Sequence, residues 1–209
     1  MSMSTRANSS RERILASAEE IILQQGFAGT TIDEIINKSA ITKGGFFYHF
    51  SGKTELAGAL IDRYIQMDTD IFAGLSKQAD KLSEDPLQQT LIFLNLFAEM
   101  VAGMTELHPG CLAAAFTYEA QQFDEGIRNR IDEGMKEWRN MISQRLENII
   151  AKYPPTMDVS VDSLADMFTS TVEGGIILAK AYADNQALID QVQNYRSHLR
   201  LLFDPTANR

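Results

Sequence analysis

At 209 residues, 44% of them hydrophobic and 22% charged, the chain is long enough to bury a substantial core, and no apolar run reaches the length of a membrane span. The single cysteine, Cys111, excludes an internal disulfide, and the start Met1-Ser2-Met3-Ser4-Thr5-Arg6 lacks the apolar run of a signal peptide, so a cytoplasmic protein is expected. A net charge of -9 argues against a broadly basic nucleic-acid binder, but the charge is uneven. Residues 1–53 carry six Lys or Arg against five Asp or Glu, and the remainder thirteen against twenty-three. Any nucleic-acid surface is therefore small and lies in the first part, with the acidic remainder held away from phosphate.

In chain order, residues 1–8 show no periodicity and read as a mobile arm. Ser9 with Glu12 forms a capping-box pattern, followed at helical spacing by Ile14, Leu15, Ala18, Ile21 and Ile22. Gly26 ends that helix, and Phe27 is expected to plug a small core with Ile32, Ile35, Phe46 and Phe50. Thr31 with Glu34 is a second capping box, opening a helix that stops near Ser39. Ala40-Ile41-Thr42 leads to a new N-cap at Thr42 and a helix over Lys43 to His49, after which Ser51-Gly52 caps a third helix at Lys53. Helix, tight turn, helix is the helix-turn-helix pattern.

Gly26-Phe27, Thr30-Thr31-Ile32, Ile35, Ile41-Thr42-Lys43-Gly44, Phe46, Tyr48-His49-Phe50, Lys53 and Leu56 carry a more specific likeness. In order and spacing this stretch resembles the DNA-binding signature of the tetracycline-repressor (TetR) family of bacterial transcriptional regulators. Ala40 departs from it, standing where the family usually has Gly, and must take up a left-handed conformation at some cost. The resemblance implies that Lys43 meets base edges or a phosphate in the major groove. It implies that Gly44 and Gly45 let the helix backbone approach DNA, and that Tyr48 and His49 contact phosphates. Phe47 either projects at a thymine methyl or packs on Ile41. Thr31, Thr42 and Lys53 lie at helix N-termini, where backbone N–H groups and the dipole favour phosphate.

From Lys53 a long helix is expected, with Leu56, Leu60, Tyr64, Met67 and Ile71 in its stripe, ending at Leu75 before a polar loop over 76–85. Asp85-Pro86 starts the next helix. Leu91 to Val101 is apolar nearly all round, interrupted by Asn95 and Glu99 on one face, which serve either as a narrow solvent stripe or as polar groups in a pocket. Pro109-Gly110 makes a turn, Cys111 to Gln122 is helical, and Asp124 caps a long helix carrying Ile127, Ile131, Met135, Trp138, Ile142, Leu146 and Ile149. Pro154-Pro155 ends it. Ser160 opens a helix with Leu164, Phe168, Val172 and Ile176. Gly174-Gly175 sits inside it at a cost of about 1 kcal/mol each relative to Ala, so close approach by another helix is expected. The last helix carries Leu188, Val192, Tyr195, Leu199 and Leu202. With no strand pattern and about nine helices, the fold class is all-α. The expected division is a DNA-binding domain over 1–55 and a ligand-binding and dimerisation domain over 56–209.

Gly174, Gly175, Tyr195 and Leu199 are the expected dimer interface. The resemblance implies a homodimer whose last two helices pair into a four-helix bundle, reading a palindromic double-stranded operator. It also implies an effector pocket among the central helices, for which Phe93, Phe97, Met100, Phe116, Trp138 and Phe168 are the candidate walls. Cys111, near a helix start, reads either as a thiol sensor of oxidants or electrophiles or, preferably, as a small buried hydrophobe. His108, Cys111 and Glu106 do not complete a metal-ligand set, and no cofactor motif is present. The three histidines lack a nucleophile motif or phosphate loop, so no enzyme activity is expected. The sequence thus reads as a repressor released from DNA by a small apolar or amphipathic effector, with thiol sensing, a helical enzyme and a constitutive DNA binder as the alternatives.

Overall fold

The computed structural model describes residues 3–203, with side chains from Ser10 onward. Among these residues the chain is all-helical: α1 Met3–Gly29, α2 Ile32–Ser39, α3 Lys43–His49, α4 Lys53–Leu82, α5 Pro86–Ala102, α6 Leu112–Tyr118, α7 Glu125–Ile150, α8 Val161–Tyr182 and α9 Gln186–Leu202, with a 3-10 turn over Ala120–Gln122. None of these helices is long and apolar enough to cross a membrane. The helices fall into two compact units, one of residues 1–67 and 111–134, the other of residues 68–110 and 135–209. Both α4 and α7 are shared, each giving its first part to the first unit.

In the first unit, α1 is already helical from Met3, so residues 3–8 continue the helix where an arm was expected, and Ser9 lies within it. Residues 1 and 2 of that arm lie outside the described residues. The helix breaks at Gly26 (φ 82, ψ 163), a backbone conformation open to glycine at no steric cost. Glu119, next after α6, fills the break: its Oε1 accepts from the Phe27 N–H and its Oε2 from the Ala28 N–H, each at 2.7 Å. A Cβ at Gly26 would stand 2.7 Å from that same Oε1. Phe27 lies edge-on to Phe116 and against Phe123, and Phe116 stacks on Phe123 with ring centroids 4.5 Å apart. Arg63 of α4 clasps Glu12 and Glu19 of α1, and Arg130 of α7 pairs with Asp62. Ile14, Leu15, Ala18, Ile22, Ile35, Phe46, Phe50, Leu56 and Leu60 make the buried core beneath.

In the second unit, Phe72, Phe93, Phe97, Phe168 and Tyr195 form one aromatic cluster, with centroids 5.6 to 6.3 Å apart. The Tyr195 hydroxyl donates to the Leu164 carbonyl at 2.9 Å, and burial pushes its phenol up from its ordinary pKa. α4 runs on to Leu82, through most of the loop expected at 76–85, because tertiary contacts hold its last turns. Arg145 of α7 donates to Ser76 at 2.6 Å and to Asp80 at 2.9 Å, and Ala79 is fully buried. Asp85 caps α5 by accepting from the Gln88 N–H, as the Asp-Pro pair predicts, and also accepts from Lys152 and from the Tyr153 hydroxyl. Asn95 and Glu99 are bonded to each other, and Asn95 also accepts from Gln193 of α9, so this polar stripe is partly spent on helix packing.

Candidate nucleic-acid interface and effector site

The helix-turn-helix is built as the sequence dictates. Thr31 accepts from the Glu34 N–H while Glu34 accepts from the Thr31 N–H, a complete capping box. Ala40 closes α2 in the left-handed region (φ 51, ψ 43), as its place in the turn requires. Thr42 caps α3 by accepting from the Gly45 N–H at 3.1 Å.

The seven residues of α3 divide by face. Phe46 is fully buried and is the anchor. Lys43, Gly44, Phe47 and Tyr48 are exposed, Tyr48 by 78%. The two glycines differ. Nothing lies within 4 Å of a Cβ placed at Gly44, whereas one at Gly45 would meet Ile41 Cγ2 at 2.7 Å. Gly44 therefore leaves an open surface, and Gly45 serves the packing of the turn. Phe47 is 46% exposed and rests edge-on against Phe46 at 5.3 Å, so its ring is neither buried nor fully free. The His49 ring is bonded to the Ser10 hydroxyl at 2.7 Å, which fixes it on α1.

Beside α3 an open groove of 450 Å³ is lined by Ala28, Thr30, Thr31, Ile32, Asp33, Lys43, Phe47 and Lys53. Three of the residues expected at phosphates, Thr31, Lys43 and Lys53, thus share one concavity. Lys53 also has an internal role. Its Nζ donates to the Phe27 carbonyl at 2.6 Å and stands 4.2 Å over the Phe27 ring. Burial lowers its pKa, against the opposing pull of Glu119 and Glu34. Glu119, which sequence reasoning missed, is therefore the hub here. It bonds the α1 break directly and acts on Lys53 through charge. Nothing in its local sequence marks it, because both partners lie about ninety residues earlier.

The candidate effector walls do not come together as expected. Phe93, Phe97 and Phe168 are buried and packed ring to ring with Phe72. Phe116 makes its ring contacts in the other unit, with Phe27 and Phe123. Met100 is 36% exposed at the outer face of α5. Trp138 lines an open groove of 590 Å³ with Thr69, Ala73, Ser76, Lys77, Asp80, Lys81, Glu137 and Met141.

Three of the four expected interface residues are also interior to the protomer. Tyr195 and Leu199 are buried within the single chain, where α9 packs on its own neighbours. A Cβ at Gly175 would stand 2.7 Å from Leu188 Cδ1 and 3.0 Å from its Cα, so this glycine admits α9 of the same chain. Gly174 faces open space. The outward apolar residues of α8 and α9 are Met167, Ile177, Tyr182 and Leu201.

Cys111 is buried and caps α6, its Sγ accepting from the Ala114 N–H at 3.3 Å. His108 Nδ1 accepts from the Gly110 N–H, and burial, with Lys180 nearby, lowers its pKa.

A capped helix-turn-helix with an exposed face on α3, followed by a larger helical part, is the pattern of a helix-turn-helix DNA-binding protein. Comparison with known proteins agrees. The model of bacterial regulatory proteins of the tetR family matches residues 14–60, and that of the tetracyclin repressor-like C-terminal domain matches residues 91–194. The HTH-type transcriptional repressor NemR of Escherichia coli K12 is 30% identical over 143 residues, 66% of this chain and 67% of that one. The HTH-type transcriptional regulator LmrA of Bacillus subtilis is 26% identical over 181 residues, 86% of this chain and 91% of that one. A solved TetR transcriptional regulator from Chloroflexus aurantiacus superposes with a TM-score of 0.77 at 25% identity, covering 93% of this chain and 96% of that one. A TetR-family regulator from Agrobacterium tumefaciens gives 0.76 at 21% identity, covering 92% and 98%. The chain belongs to the TetR family. It is a DNA-binding transcriptional regulator of the ligand-responsive repressor type.

Proposed function

We propose that the chain acts in the cytoplasm as a homodimeric repressor that sets α3 of each protomer in successive major grooves of a palindromic operator. A small apolar or amphipathic molecule then releases it from DNA. Residues 1–55 bind DNA, and residues 56–209 bind the effector and dimerise. The carrying observation is the outward face of α3. Lys43, Gly44, Phe47 and Tyr48 are exposed beside a groove that also holds Thr31 and Lys53. Lys43 and Phe47 are the base readers, Tyr48 and Lys53 the phosphate contacts, and Thr31, Thr42, Gly45 and His49 hold the frame that presents them. The dimer forms through the outer faces of α8 and α9, at Gly174, Ile177, Tyr182 and Leu201.

Release is a population shift: the effector favours the form whose recognition helices are misplaced for the two half-sites, by its difference in affinity between the two forms. The test starts from DNA selected by the protein out of a random pool, with binding followed by fluorescence anisotropy. Lys43→Ala weakens the selected DNA by about 1–3 kcal/mol and relaxes one base position. Tyr48→Phe weakens selected and unselected DNA alike. Unchanged affinity and sequence preference in both variants overturns the assignment of this face.

Thiol sensing through Cys111 is the second reading, favoured by the place of its Sγ at the start of α6. Its burial supports the structural role instead.

A further inference from the structure

The groove between the second half of α4 and α7 brings together polar groups left unmet. Its floor is Trp138 and Met141 of α7 with Ala73 of α4. Thr69, at one end of the α4 wall, has a hydroxyl that is shielded from water and has no hydrogen-bond partner among the described residues. Such a group costs free energy unless something completes it. Lys77 and Lys81, one helical turn apart, stand at the other end and are paired with no carboxylate among the described residues. The acid between them, Asp80, is already neutralised by Arg145 at 2.9 Å. Glu137 stands about two turns before Arg145 on α7, ~12 Å along the helix from that level, and leaves the lysine end positive.

Thr69 and Lys77 are eight positions apart on one helix, ~12 Å along its axis. The geometry points to a site for an elongated amphipathic anion, its charged end between Lys77 and Lys81, its apolar body on Trp138 and Met141, and a polar atom near its far end at Thr69. The site rests on the reading of the chain as effector-responsive and gives that reading a ligand class: a carboxylate-ended, hydroxylated or keto-bearing chain or ring system. A neutral or cationic apolar compound of the same length lacks the electrostatic contribution of the two lysines.

Trp138 is the chain's one tryptophan, so its emission reports occupancy of the groove without reference to DNA. The full-length protein is titrated with 10-hydroxydecanoate and, as the uncharged match, with 1,10-decanediol. A saturable change in Trp138 emission is expected for the acid, at a dissociation constant lower than that of the diol by about five-fold or more, and a preference that shrinks with added salt. The double variant Lys77→Gln/Lys81→Gln, at two exposed positions, is expected to bind acid and diol equally, and Thr69→Val to weaken the acid while keeping the salt dependence. No saturable change with the acid, equal affinity for acid and diol in the wild type, or a preference kept by the double variant overturns the site. Release of selected DNA is measured separately with the same acid. Binding that leaves the DNA complex intact retains the anion site and removes its role as the effector site.

Discussion

The two compact units hold their helices together by different means. In the first, α2 and α3 have eight and seven residues, too short to be stable on their own in water, and each is fixed by a side-chain cap. Thr31, Thr42 and Glu119 meet backbone N–H groups that have no helical partner. In the second, α5, α8 and α9, of seventeen to twenty-two residues, rely on apolar area. Their centre is five aromatic rings, and Gly175 lets α9 approach α8 at Leu188. Polar caps set position and orientation at modest energy, whereas aromatic packing supplies stability. Substitutions in the second unit should therefore act on folding, and those in the first on DNA binding at smaller cost to folding.

The largest effect is expected for Leu199→Glu, which places a carboxylate at a fully buried position. A loss of about 3–5 kcal/mol should leave little folded protein at any concentration. Leu201→Glu, two residues on and exposed, should keep the thermal midpoint and weaken self-association. A stable, folded Leu199→Glu monomer in light scattering and thermal denaturation would return this residue to the interface.

Phe168 touches Phe72, Phe93, Phe97 and Tyr195, so Phe168→Ala should cost about 3–5 kcal/mol in denaturant unfolding. An equal-sized loss of DNA affinity at a temperature where the variant is folded would erase the contrast between the units.

Glu119→Ala removes the acceptor of two N–H bonds at the Gly26 break and should cost about 1–3 kcal/mol of stability. Because Glu119→Ala and Glu119→Gln both remove the charge that favours protonated Lys53, affinity for selected DNA should fall in both variants. Identical DNA affinity in the alanine variant and the wild type would leave Glu119 with a structural part only.

The smallest effect is pH-dependent. Burial pushes the Asp85 carboxyl up, but the bonds from Lys152, Tyr153 and the Gln88 N–H outweigh it and hold the pKa at about 2, below the ordinary 3.8. A depressed carboxylate contributes stability above the unfolded value and loses it as pH falls toward about 2. Asp85→Ala should cost about 1–2 kcal/mol at pH 7, and the difference from wild type should close below pH 4. A difference that stays constant from pH 7 to 2 would show that the carboxylate's charge is not what stabilises the cap.

The local chain determined much by itself. Thr31 with Glu34, Thr42, Asp85 before Pro86, Asp124 and Ser160 each start a helix as their spacing predicts, because a cap is bonded within three residues of itself. The family and the recognition helix were legible for the same reason: the signature lies within one short stretch. What only the tertiary structure decided is whatever depends on partners far along the chain. The last turns of α4 read as polar loop until Arg145 is placed against Ser76 and Asp80. Periodicity finds Tyr195, Leu199 and Gly175 on an apolar face but cannot say whether that face meets its own chain or a second copy, and here its own chain fills it. Aromatic density similarly marks Phe93, Phe97 and Phe168 without telling a wall from a core, since the spacing of residues along a helix carries no record of the empty volume beside it.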